Sequence, residues 1–143
     1  MTTETSNFAA SLETRGLGAA QDWSWSKGSW WKDCTQDFDA RAHATRLLAL
    51  GARFIAITAS EKEDGEIRLE YEWDLDGELL SFIATTVEKK IATIADLSPA
   101  ADWVERETRE YFAVEFTGRE TTLPLMTRPG HEIGINLRKE VQK

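Results

Sequence analysis

Between residues 53 and 87 polar and apolar positions follow a regular pattern. "RFIAITAS" reads as a buried strand, and the "EKEDG" after it ends on Asp64-Gly65, a dipeptide suited to a tight hairpin turn. Ile67, Leu69, Tyr71, Trp73 and Leu75 then alternate with Glu66, Arg68, Glu70, Glu72, Asp74 and Asp76. Successive side chains of a strand point to opposite faces, so this period of two predicts one buried and one wet face. Asp76-Gly77 is a second turn signal and "LLSFIATTV" a third strand, which together make an antiparallel meander. The wet face of the middle strand holds five acids and one arginine. It is either a solvated surface or one that meets a basic partner.

Two segments carry helical periodicity. Asp37 or Asp39 can cap a helix through "ARAHATRLLAL", with Gly51 just past its end. His43 lies in it as a surface or boundary residue, with no second metal ligand nearby in sequence. Ser98-Pro99 predicts the start of the other helix, with Ser as N-cap, Pro at the first helical position and Asp102 in the first turn, where the helix dipole favours an acid. The pattern as a whole predicts an α+β fold, an antiparallel three- to four-stranded meander packed with two main helices.

The second helix, "WVERETREYFAVEFTG", raises a problem of its own. At about 100° per residue, Trp103, Val114, Tyr111, Val104, Thr108 and Phe112 fill an arc of about 180°. Glu107 falls inside it, near 40° by the same count of about 100° per residue, between Trp103 and Tyr111. Glu105–Arg109 and Arg106–Glu110 are spaced to pair along the other side. A buried, unpaired Glu107 would cost several kcal/mol. It is therefore protonated, paired within the fold, or paired with a cation across a subunit boundary.

Composition narrows the function. The chain has 143 residues, enough for one domain with a single core, and a formal charge of −8. That charge disfavours nucleic acid and anionic membrane surfaces, which require Lys and Arg. With one cysteine, Cys34, the chain can form no internal disulfide and no thiolate-held zinc or iron–sulfur site of its own. No apolar run approaches the length of a membrane span, and the first residues do not resemble a secretory signal, so a cytoplasmic location is expected. "DWSWSKGSWW" places Trp23, Trp25, Trp30 and Trp31 within nine residues. Either Trp23 and Trp25 fill the edge of the core, or the segment forms a docking surface, since Trp is enriched at interface centres. The expected organisation is an N-terminal arm with the Trp-rich segment (1–36), an α+β core (37–120) and a C-terminal tail (121–143) that docks on a partner.

Enzyme signatures are missing from the sequence: there is no Gly-rich phosphate loop, no GxSxG and no HExxH, and His43 and His131 lie far apart. Glu107 with a raised pKa would suit general acid–base work, yet no nucleophile or oxyanion donor accompanies it. No catalytic, cofactor-binding or metal-ligating residue is assigned.

The segment from Asp96 to Gly118, "DLSPAADWVERETREYFAVEFTG", resembles the signature of the 30-kilodalton subunit family of respiratory complex I, whose relatives occur in membrane-bound, energy-converting [NiFe] hydrogenases. Pro99, Ala100, Ala101, Asp102, Trp103, Glu105, Arg106, Glu107, Glu110, Tyr111 and Phe112 match the family pattern. "LRKE", Leu137 to Glu140, resembles the family's Leu-Arg-Lys-Asp segment. Ser98 replaces a common aromatic, Ala113 a usual Gly, Arg119 a His or Lys, and Leu123 a basic residue or Pro.

The resemblance implies a non-catalytic subunit that holds no cofactor and packs against the large subunit of a peripheral arm. The [NiFe] and Fe–S clusters are then expected in the large subunit and a small Fe–S subunit. The short C-terminus and simple N-terminus point to the hydrogenase type, peripheral on the cytoplasmic face of the inner membrane. Pro99, Trp103, Glu105, Arg106, Glu107, Glu110, Tyr111 and Phe112 would organise the signature helix and its contacts. Trp23, Trp25, Trp30, Trp31, Leu137 and Arg138 are the docking candidates. The alternatives are the equivalent subunit of an NADH- or ferredoxin:quinone oxidoreductase, and a free-standing enzyme or ligand-binding domain that uses Glu107.

Overall fold

The computed structural model describes residues 3–34, 38–119 and 134. In chain order they form α1 (Thr3–Thr14), β1 (Trp23–Ser26), β2 (Ser29–Asp33), α2 (Ala40–Ala49), β3 (Arg53–Glu61), β4 (Ile67–Leu75), β5 (Glu78–Thr85), β6 (Lys90–Ala92), α3 (Ala101–Phe112) and β7 (Glu115–Thr117). The meander β3-β4-β5 is present, and β4 buries every second residue from Ile67 to Leu75 as the alternation requires. The two Asp-Gly pairs make different turns. Asp76 and Gly77 both have positive φ and join β4 to β5 in a two-residue loop, whereas at the first turn only Gly65 does. There Asp64 instead accepts the Glu66 N–H at 2.9 Å.

The sheet is wider than the meander. Its order is β1-β2-β5-β4-β3, with β2 parallel to β5, so the Trp-rich segment is built into the same sheet as an added hairpin. Lys27 and Gly28, both at positive φ, turn that hairpin. The described part of the expected N-terminal arm (1–36), residues 3–34, forms one α-helix and two strands of the main sheet. A two-stranded parallel pair, β6 with β7, flanks α3.

One face of the sheet carries the core. Trp30, Leu80, Trp73 and Phe54 lie side by side across four strands and are all buried. Ala9 and Leu12 of α1, Ala40, Ala44 and Leu47 of α2 and Ala101 of α3 join them in one cluster. This inner face is therefore the one the helices cover. Asp39 caps α2 by accepting the Ala42 N–H at 3.0 Å, one of the two caps expected. Residues 35–37, with the other candidate Asp37, lie outside the described residues.

The start of α3 departs from expectation. The N-cap is Ala100, with no side-chain cap, while the Ser98 and Pro99 carbonyls accept from Ala101 and Asp102 in a lead-in turn. Ser98 is buried and its hydroxyl caps nothing. The helix ends at Ala113 in the left-handed conformation, φ 59°. This is the position where the matching pattern carries Gly, which reaches that region without a Cβ clash.

Candidate functional site

The helix α3 buries two of its acids, Glu105 and Glu110, and not Glu107. Glu105 is wholly inaccessible, whereas Glu107 is exposed. The sector facing the core is Val104, Thr108, Ala101, Phe112 and Glu105, only half of the apolar arc drawn from the sequence. Trp103, the anchor of that arc, is 67% exposed. Of the rest of the arc, Glu107 is exposed with Trp103 and Tyr111 is half-buried, while Val114, beyond the end of the helix, returns to the core. The expectation that Glu107 sits on the packed face of the fold is the one this placement overturns: an exposed carboxylate needs no internal partner.

Glu105 is held from three directions. The Ile94 N–H donates to Oε2 at 2.8 Å, Arg119 Nη1 donates to Oε1 at 3.0 Å, and the Thr93 hydroxyl donates to Oε1. Thr93 and Ile94 follow β6, and the Thr93 N–H is fixed by the Thr117 carbonyl of β7 at 2.9 Å. Arg119 follows β7, is only 7% exposed in its side chain, and also pairs with Asp102 through Nη2. Asp102 in turn faces Arg106 at 3.7 Å one helical turn on. From α2, Arg41 grips Asp96 with two bonds of 2.7 and 2.9 Å and donates to the Thr93 carbonyl at 2.8 Å. The network therefore ties α2, the β6–α3 connection, α3 and the strand after it around one buried carboxylate.

Its electrostatics are those of a structural cluster. Burial pushes the Glu105 pKa up, and the Ile94 N–H, the Thr93 hydroxyl and Arg119 pull it back only in part. Arg41 holds the Asp96 carboxyl below its usual range. Tyr71, buried against the same region, is raised by desolvation and by the Glu105 charge. The acid–cation pair is closed to solvent. Among the described residues no group of three His, Cys, Asp or Glu is placed to hold a metal ion.

The other signature residues divide between the two sides of α3. Pro99, Trp103 and Glu107 are exposed, and Tyr111 is half-buried at the end of their stripe. Phe112 packs half-buried on the core. Glu110 is buried, and its carbonyl accepts the Gly134 N–H at 2.7 Å. The side of the helix expected to carry solvent pairs is not fully solvated, because both acids in those pairs, Glu105 and Glu110, are buried.

The tryptophans divide as well: Trp23 and Trp30 are core, Trp25 is 44% exposed, and Trp31 is half-buried with its Nε1 donating to the Ser26 carbonyl at 2.9 Å. Filling the core edge thus fits Trp23, and Trp30 goes deeper, but not Trp25, whose ring only leans edge-on against Trp30 at 5.4 Å. Leu137, Arg138 and the tail 121–143 lie outside the described residues, Gly134 excepted. Sequence reasoning missed Arg119 and Thr93 as partners of the buried acid. A cation stands at 119 in the matching pattern too, and that was the available signal.

The family model for the respiratory-chain NADH dehydrogenase 30 Kd subunit matches residues 37–143. No curated protein sequence matches significantly. Among solved structures, a trypsin-resistant fragment of Nqo5 superposes with a TM-score of 0.60 at 18% identity, covering 82% of this chain and 98% of that one. A chain of the membrane-bound sulfane sulfur reductase, described as an archaeal respiratory membrane complex, superposes with a TM-score of 0.62 at 21% identity, covering 82% of this chain and 71% of that one. At these identities the two structures establish a shared fold. No helix among the described residues is long and apolar enough to cross a membrane.

Proposed function

This chain belongs to the family of the respiratory-chain NADH dehydrogenase 30 Kd subunit, and from that premise we propose that it is a non-catalytic subunit of a membrane-bound, energy-converting [NiFe] hydrogenase. It packs against the large catalytic subunit and supports electron transfer coupled to ion translocation, while the [NiFe] and Fe–S clusters reside in partner subunits. The chain sits on the cytoplasmic face of the membrane through its complex. The observation that carries the reading is the two-sidedness of α3. The helix is rigidly held from within by the Glu105–Arg119 network and leaves Trp103, 67% exposed, beside Glu107 and Tyr111. A large exposed aromatic on a rigid element is the form of an interface anchor.

The equivalent subunit of an NADH- or ferredoxin-driven quinone oxidoreductase is the second reading, favoured by the name of the matching family itself. The free-standing enzyme is disfavoured, because Glu107 stands exposed on the helix surface and not in a closed pocket. Purification of the native assembly decides. A co-purifying [NiFe]-type large subunit supports the first reading and a quinone-site large subunit the second. A lone monomer defeats both.

A further inference from the structure

The sheet has a second face, turned away from the helices, and it is not a purely wet one. Trp31 of β2 and Leu79 and Ile83 of β5 point outward there, in register with Ser81, Asp74 and Glu70. None of the three belongs to the core cluster, and Leu79 is 42% exposed. A solvated face has no need of such side chains, and grouped apolar residues on an outer face mark contact surfaces. Trp31 and Ile83 also line, with Ser24, Ser26 and Lys27, an open depression of about 230 Å³.

The acids on this face are not equally served. Arg68 pairs with Glu70, and Arg53 pairs with Asp74 at 2.8 Å. Glu72 lies between them with Ala56 and Ser81 as its cross-strand neighbours, and neither is a cation. Partial burial and the neighbouring Glu70 charge both raise its pKa, and no described cation opposes them. Glu72 is thus a half-desolvated carboxylate set among outward apolar groups.

We propose that the outer face of β2-β5-β4 docks a segment of a neighbouring subunit that presents apolar side chains around one Arg or Lys, which pairs with Glu72. The chain's charge of −8 favours a cationic partner over an acidic one. A second copy is a poor occupant, because a two-fold contact would bring Glu72 and its neighbours against themselves. The proposal goes beyond the α3 interface, which uses the other side of the molecule, and makes the chain a bridge between two subunits. It rests on the reading of the chain as a subunit, but not on which complex contains it.

A photo-crosslinking residue placed at Leu79 in the chain, within the purified native complex, tests it, with the same residue at Trp103 as the control. The expected result is a Leu79 link to another subunit at a peptide containing Lys or Arg. Adding Glu72→Arg should lower the yield of that link about tenfold or more, since opposed like charges cost several kcal/mol. The Trp103 link should be unchanged and the thermal melt of the variant chain unaltered. A Leu79 link to a second copy, to residues 120–143 of the same chain, or to no protein overturns the proposal, as does indifference to Glu72→Arg. Loss of the Trp103 link alone counts against the α3 interface instead.

Discussion

Replacing Arg119 by Met removes the cation from a carboxylate that has nowhere to go. Glu105 has no accessible surface and the Arg119 side chain is 7% exposed, so water cannot take over the lost interaction. Two donors remain, the Ile94 N–H at 2.8 Å and the Thr93 hydroxyl. Asp102 loses a partner as well but keeps Arg106 at 3.7 Å, and it is partly solvated. Breaking a buried pair from one side costs about 3–5 kcal/mol, against less than about 1 kcal/mol for an exposed pair. At about 3 °C per kcal/mol for a domain of this size, Arg119→Met should lower the Tm by about 9–15 °C.

The pH dependence gives a second handle. The folded-state pKa of Glu105 is raised, so the folded chain takes up this proton more readily than the unfolded chain. The contribution of Glu105 therefore favours folding below the ordinary carboxylate range and is lost as pH rises through its folded pKa. Without Arg119 that pKa rises further, so the deficit of the variant should shrink as pH falls towards 5. Glu105→Gln combined with Arg119→Met should recover part of the loss, because no buried charge is left. Urea melts at several pH values read all of this. A loss below about 1 kcal/mol that does not vary with pH would refute the account, since that is how a solvent-screened pair behaves.

Four further outcomes follow from the same structure. Ala113→Gly should stabilise the chain by about 0.5 kcal/mol in a denaturant melt, because the residue sits at φ 59°, where an L side chain is strained. His43 is half-buried between Phe38 and Phe82 with its Nδ1 unpartnered, and desolvation and Lys32 lower its pKa. Its folded form thus resists protonation, and stability should fall as pH drops below about 6.5, a loss that His43→Phe should reduce in an acid titration. Trp30→Ala should cost about 3–5 kcal/mol while Trp25→Ala costs less than about 1 kcal/mol, so equal losses would contradict the division of the cluster. Trp103→Ala should leave the melt of the isolated chain within about 0.5 kcal/mol yet weaken association with the large subunit by about 2 kcal/mol or more, measured by titration.

Much of the fold was legible in local pattern. The alternation from Ile67 to Leu75, the two Asp-Gly turns and the Asp39 cap each depend on neighbours a few residues apart, and each appears where expected. The hairpin β1-β2 was harder to read, because β1 alternates over only four residues and β2 carries two adjacent tryptophans that break the alternation. Its parallel pairing with β5 joins residues 50 apart, as Trp30 with Leu80, and no local signal encodes that. Signature matching located α3, but a helical wheel assigns a face by composition alone.

By itself, the sequence determined the helix, its family and the presence of an acid that required explanation. Only the tertiary structure decided which acid. The core covers the sector from Val104 to Glu105 and leaves Trp103, Glu107 and Tyr111 outside it. The physical reason lies in where the donors are. A carboxylate is tolerated inside where backbone N–H groups and a cation converge, and those come from Thr93, Ile94 and Arg119, on segments before and after the helix. Periodicity within the helix carries no information about them.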